Sequence, residues 1–128
     1  MEYTVNGKTE EFSFDMKFIR EMDRMHKISR FGMDMAVGLQ TSLNAFLNMD
    51  SLTALSDILL GANHAAGGNL KTSDIDAFFE DENTDLDAVW EEVAKTLEEG
   101  KFTKRRVAKM QAEQAAQLAA QKAMMEEN

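Results

Sequence analysis

The sequence predicts a mainly α protein: a small helical domain with an N-terminal β-hairpin and a C-terminal Ala/Gln-rich helix. Three observations point there. Between residues 35 and 70 only Asp50 and Asp57 are charged, while the rest of the chain is far more polar. Inside that stretch Leu52, Leu55, Leu59, Ala62 and Ala66 recur at steps of 3, 4, 3 and 4, the spacing of one helical face. The first fourteen residues instead alternate about Asn6-Gly7, the strongest short signal for a hairpin.

In the hairpin, strand Glu2 to Val5 returns as Lys8 to Phe14. A two-residue loop sets Val5 opposite Lys8, Tyr3 opposite Glu10 and Met1 opposite Phe12. Met1, Tyr3, Val5, Phe12 and Phe14 then share one face, so register and hydrophobic pattern agree. A lone hairpin is marginal in water and has to dock on something. A helix starts at Ser13 or Asp15, with Phe14, Phe18, Met22 and Met25 on one face and Ile19 and His26 beside them. Arg20, Glu21, Asp23, Arg24 and Lys27 take the wet side, and Gly32 breaks the pattern. Ser29 to Val37 reads as a connection, unusually apolar because of Phe31, Met33 and Met35.

Ser42 to Asn48 as helix puts Leu43, Phe46 and Leu47 together. Asp50 or Ser51 then caps the next helix, a short side-chain oxygen accepting from free backbone N–H groups. Ile58 and Leu60 widen that helix's stripe, and a helix apolar around most of its girth is covered on several sides. It therefore belongs at the centre. Gly61 costs about 1 kcal/mol against Ala in mid-helix, which suggests close packing there. Gly67-Gly68 ends the helix. Leu70 to Thr72 is a linker, and Ser73 can cap a short helix carrying Ile75, Phe78 and Phe79. Thr84 or Asp85 opens the next, striped by Leu86, Val89, Trp90, Val93 and Leu97, with Asp85 and Asp87 near the positive end of its dipole. Gly100 stops it. Thr103 to Glu127 has high helix propensity but a thin apolar face of Val107, Met110, Leu118 and alanines. The organisation is a helical domain over 1–100, with the hairpin at 1–14, followed by a basic, then Ala/Gln-rich helical tail over 101–128.

The 128 residues include no Cys and no Pro, which excludes disulfides and thiolate chemistry and leaves glycine to punctuate the chain. The net charge of −9 is uneven: −3 over residues 1–70, −9 over 71–100 and +3 over 101–128. An acidic body repels nucleic acid. A membrane span needs about 20 mostly apolar residues in a row, and there is none; nor does the start read as a signal peptide, so the expected setting is soluble and cytoplasmic.

Chemical motifs are sparse. Asp81, Asn83, Asp85, Asp87 and Glu92 fall at positions 1, 3, 5, 7 and 12 of a calcium loop. Position 6, however, is Leu86, where the sharp turn needs Gly, so the segment reads first as an acidic helix cap. His26 and His64 are 38 residues apart with no metal-motif spacing. No serine sits in a nucleophile elbow. The expectation is no catalytic residue, no metal and no cofactor. Lys101, Lys104, Arg105, Arg106 and Lys109 lack the interleaved aromatics that nucleic acid would need. They read as a solvated helix start or as partners of the acidic 74–99 region. The ten methionines and Phe31 suit core first and an adaptable partner surface second.

The opening YTVNGKTEEFSFDMKFIREMDR, the stretch FGMDMAVGLQTSLNAFLNMDSLTALSDILLGANHA, and the acidic IDAFFEDENTDLDAVWEEVAKTLEEG followed by a basic, Ala-rich tail make the chain resemble the tail assembly chaperones of long-tailed, non-contractile bacteriophages and prophages. The likeness covers roughly residues 2–110. It implies a helical, non-enzymatic protein of the host bacterial cytoplasm that coats the tape measure protein, a long helical chain. It also implies help in recruiting major tail (tube) protein subunits, action in many copies, and departure before the virion is finished. On that footing Phe31, Met33, Met35 and Met49 are expected in a client-binding patch. The 103–125 helix, with Met110 and Leu118, is expected to serve self-association or client contact. Two rivals from other classes are a small acidic adaptor or inhibitor of a host protein and a calcium-responsive module.

Overall fold

The computed structural model describes the backbone of residues 1–25, 27–30, 33–36 and 38–126, and the side chains of 1–25 and 38–126. Among these, six helices and two antiparallel hairpins follow one another as β1 (Glu2–Val5), β2 (Lys8–Glu11), α1 (Met16–Met25), β3 (Lys27–Arg30), β4 (Met33–Ala36), α2 (Gly38–Met49), α3 (Leu52–Ala65), α4 (Thr72–Glu80), α5 (Leu86–Glu99) and α6 (Lys104–Glu126). The six helices hold 82 of the 128 residues.

The first hairpin has the register expected of it, with Tyr3 opposite Glu10 and Val5 opposite Lys8. Asn6 and Gly7 both take positive φ, 53° and 77°, as a turn matching the strand twist requires. Its apolar face docks on the protein's own helices. Val5 and Phe12 are buried, and the Tyr3 ring meets Phe12 and Phe78 at 5.6 and 5.4 Å. The chain leaving the hairpin is fastened by the Ser13 N–H donating to Ala62 O at 2.9 Å.

Asp15 opens α1, its carboxylate accepting from the Phe18 N–H at 3.1 Å. Phe18 and Met22 are fully buried, with Phe14, Ile19 and Met25 packed beside them. The helix ends at Met25, not near Gly32. The segment expected to be a connection forms β3 and β4, paired Ile28 with Met35 and Arg30 with Met33. Two residues separate the strands, a hairpin spacing without the Asn-Gly signature.

α3 is the centre, touching α1, α2, α4 and β2. Ser51 caps it, its hydroxyl accepting from the Ala54 N–H at 3.2 Å. Asp50 instead takes a positive φ of 56° between α2 and α3. Leu55, Ile58, Leu59 and Ala62 have no exposed surface, whereas Leu52, expected on that face, stands 42% exposed at the helix start. Gly61 lets α1 close in: a Cβ there would lie 2.7 Å from the Met22 sulfur. Gly38 permits a tighter approach, since a Cβ would overlap the carbonyl of Met22. α4 begins two residues earlier than a Ser73 cap implies. Lys71 is its N-cap, and the Asp74 carboxylate reaches back to accept from the Lys71 N–H at 2.8 Å.

A fully buried polar side chain ties three segments together. Asn63 donates from Nδ2 to the Glu10 carboxylate and to Glu11 O, both at 3.1 Å, and its Oδ1 accepts from the Leu70 N–H at 3.1 Å. His64, one residue on, donates from Nε2 to Leu70 O at 2.8 Å, a carbonyl being able only to accept.

α5 and α6 are linked by a short turn in which the buried Thr103 hydroxyl donates to Leu97 O at 2.6 Å. Val107 and Met110 are buried, and α6 touches α5 and α2. The core therefore continues past residue 100 into the first turns of the expected tail.

Candidate protein-binding surfaces

Among the described residues no cluster of three or more His, Cys, Asp or Glu side chains is arranged to hold a metal ion. The would-be calcium segment has another use. The Asp81 carboxylate accepts from the Asn83 N–H at 2.8 Å and the Asp85 carboxylate from the Ala88 N–H at 3.1 Å. Helix α5 then begins at Leu86, so positions 6 to 12 of a calcium loop are already helical. His64 is bound to a backbone carbonyl, with the Glu21 carboxylate 4.0 Å from its other nitrogen. His26 lies outside the described residues.

The Tyr3 hydroxyl is buried without a hydrogen-bond partner among the described residues. Burial first, and the neighbouring Glu92 carboxylate second, push its pKa well above the usual phenol value. A neutral phenol held this way is a packing group rather than a proton donor near neutrality.

Three surface features remain, and all suit contacts with protein. The first is a trough where α3 begins, α4 ends and α5 begins. Leu52 lies in both of its hollows. One, of about 630 Å³, adds Leu86 and Trp90; the other, of about 360 Å³, adds Phe79. Trp90 is held from behind by Phe46, the ring centres 4.5 Å apart. Exposed carboxylates of Asp50, Asp76, Glu80, Asp87 and Glu91 stand around the apolar floor, and no Lys or Arg lines either hollow.

The second is the cationic start of α6. Arg106 donates to the Gln40 carboxamide oxygen at 2.7 Å, and Lys101 lies over the exposed Phe102 ring at 5.6 Å. Among the described residues no ion pair joins this patch to the acidic 74–99 region, so it is a solvated helix start. α5 separates it from the trough; at 14 residues that is about 21 Å.

The third is the rest of α6. Beyond Met110 every described residue is exposed except Gln114, which is half-buried. Leu118 is 56% and Met125 80% exposed, with Met124 between them in degree.

The residues singled out from sequence fare differently. Met49 is 68% exposed at the end of α2, and Leu118 stands on the projecting half of α6, whereas Met110 is 6% exposed and committed to the core. Phe31 lies outside the described residues, as do the side chains of Met33 and Met35, whose backbone forms β4. The trough was not anticipated. Its signal was the acid-flanked Leu52, Phe79, Leu86 and Trp90, all assigned to core stripes.

No helix among the described residues is long and apolar enough to cross a membrane. No curated protein and no solved structure matches the chain. A family model described as phage tail assembly chaperone protein, TAC, matches residues 2–111. The match runs from the first strand to one residue past Met110, the last buried side chain among the described residues, so it spans the packed body and stops where α6 leaves it. The description is that of an assembly factor, a role exercised through contacts with tail proteins rather than through catalysis. With the helical fold and the match over most of its length, the chain belongs to the phage tail assembly chaperone family.

Proposed function

We propose that the protein binds the tape measure protein, keeps that long helical chain soluble in the host bacterial cytoplasm, and helps gather major tail (tube) protein subunits around it. It acts in several copies and leaves before the virion is complete. The observation that carries this reading, beside family membership, is the half of α6 over residues 111–126, which offers Leu118, Met124 and Met125 with nothing among the described residues covering them. Exposed apolar side chains on a soluble acidic module are what covering a helical client requires. Met49 adds a further exposed apolar side chain at the end of α2. Phe31, Met33 and Met35 complete the client patch in this reading.

Co-expression with the tape measure protein tests it. The full chain is expected to move the client into the soluble fraction, and a chain ending at residue 111 to do so less well. A client equally insoluble with and without the protein would refute the reading. For the patch, Met35→Glu is expected to keep the far-UV circular dichroism spectrum and lose the client; loss of the spectrum as well would return Met35 to the core.

A further inference from the structure

We propose that the trough between the start of α3, the end of α4 and the start of α5 is the docking site for a cationic amphipathic helix of another protein. The occupant presents two large apolar side chains on one face, flanked by Lys or Arg. Under the chaperone reading above, on which this assignment rests, that helix belongs to the client.

The floor fixes the apolar requirement. The two hollows meet at Leu52, which gives them a common edge and separates Phe79 from Leu86 and Trp90. Side chains one or two turns apart on a helix stand about 5–11 Å apart, so two of them on one face can enter hollows that share an edge. The rim fixes the charge. Asp50 and Glu91 stand on one hollow and Asp76 and Glu80 on the other, all exposed, with no base among the lining residues. A cationic helix gains attraction on both sides, while an anionic one of the same shape is repelled.

Among the described residues the chain supplies no such helix. Its cationic patch lies at the far end of α5 and is anchored by the buried Thr103, Val107 and Met110. From a second copy that patch offers only one exposed aromatic, Phe102, because its remaining apolar residues are already inside. It would fill one hollow and leave the other open. The exposed half of α6 carries apolar side chains, but Lys122 is its only base against Glu113 and Glu126, so it does not complement the rim. The occupant is therefore a different chain.

Trp90 is the only tryptophan and lines the larger hollow, so it reports occupancy directly. The probes are an amphipathic Leu/Lys helical peptide and its Leu/Glu counterpart, titrated into the full-length protein with Trp90 emission and calorimetry as readouts. The Lys peptide is expected to shift the emission and the Glu peptide not to. The Asp87→Lys/Glu91→Lys variant is expected to weaken the Lys peptide by about 10-fold or more, and Leu52→Asp to do likewise. Glu98→Lys/Glu99→Lys, at the other end of α5, is expected to change it by less than about 2-fold. All these positions are exposed, and circular dichroism verifies each fold.

Equal weakening by both charge reversals would overturn the assignment, because the attraction would belong to the acidic body as a whole. Binding without a change at Trp90 would also overturn it. So would wild-type self-association that Asp87→Lys/Glu91→Lys abolishes, since a second copy would then be the occupant. If that variant solubilises the tape measure protein as well as wild type, the trough is not the client's site and the chaperone reading stands. If wild type does not solubilise it, that reading fails and the peptide result alone decides the trough.

Discussion

Replacing Asn63 by Leu should cost the protein a large part of its stability. Asn63 has no exposed surface, and its carboxamide joins the second strand of the hairpin to the chain leaving α3. With Leu there, the buried Leu70 N–H loses its partner, and the carbonyl of the exposed Glu11 loses one hydrogen bond. The Glu10 carboxylate is half-buried and can turn to water. The stranded Leu70 N–H costs about 1–3 kcal/mol and each of the two other lost hydrogen bonds about 0.5–1.5 kcal/mol, so the expected loss is roughly 2–6 kcal/mol, reduced by about 1 kcal/mol for the added apolar burial. There is little room to relax, because a Cβ at Gly68 would already press within 2.3–2.5 Å of the Asn63 carboxamide atoms. Against a total of about 5–15 kcal/mol for a domain, the loss should move the urea midpoint strongly at an unchanged m-value. Asn44→Leu is the control, since Asn44 is exposed and its bonds are to Asn48 and Met49 on the same helix; it should change stability by less than about 0.5 kcal/mol. A loss at Asn63 below about 1 kcal/mol, or no larger than at Asn44, would show that the buried carboxamide does not hold the hairpin to α3.

Gly38→Ala should destabilise by about 3 kcal/mol or more, because the new Cβ meets the fixed carbonyl of Met22; Gly61→Ala should lie within about 1 kcal/mol of wild type, because the Met22 side chain can turn away and Ala favours helix. Parallel denaturant titrations compare the two. Asp85→Ala should cost about 1 kcal/mol by removing the cap on α5, read from the same titration. The Tyr3 phenol has a folded pKa above its unfolded value of about 10. Its contribution is thus whole below that pH and is lost as pH rises toward the folded value. Wild type should therefore lose stability more steeply than Tyr3→Phe above about pH 10, and equal slopes would contradict the burial of a neutral phenol.

What could be read from the sequence was what local rules dictate. Asn6-Gly7 and the alternation around it determined the register of the first hairpin, because a two-residue turn leaves one pairing that keeps Val5 and Phe12 on one face. The 3-4 spacing from Leu55 to Ala62 located the central helix, because little else in the chain is apolar around so much of its girth. Tertiary relations were hidden. β3 and β4 lack a strong turn dipeptide, and the helical spacing of Phe18, Met22 and Met25 masked the period-two run that follows. Gly38 looks like an ordinary loop glycine until α1 is laid against it. Asn63 sits among apolar residues as one more polar interruption, and its three partners come from two distant segments. Met110 and Leu118 share a weak stripe, yet one is inside and the other in water, since the stripe does not encode where α2 and α5 end beneath it. The trough escaped for a related reason: a residue at a helix end can continue an apolar face in sequence and overhang it in space, as Leu52 does.

The free end of α6 reaches about 24 Å beyond Met110 at 1.5 Å per residue. A helix of that length without a covered face sits near the limit at which isolated helices hold together in water. Its ordering is therefore a debt settled by whatever lies along it, so affinity per unit of contact stays low. On the chaperone role proposed above, that weakness suits a temporary escort: a grip that its cargo helps to order lets go readily once a better-fitting sleeve closes around the same cargo.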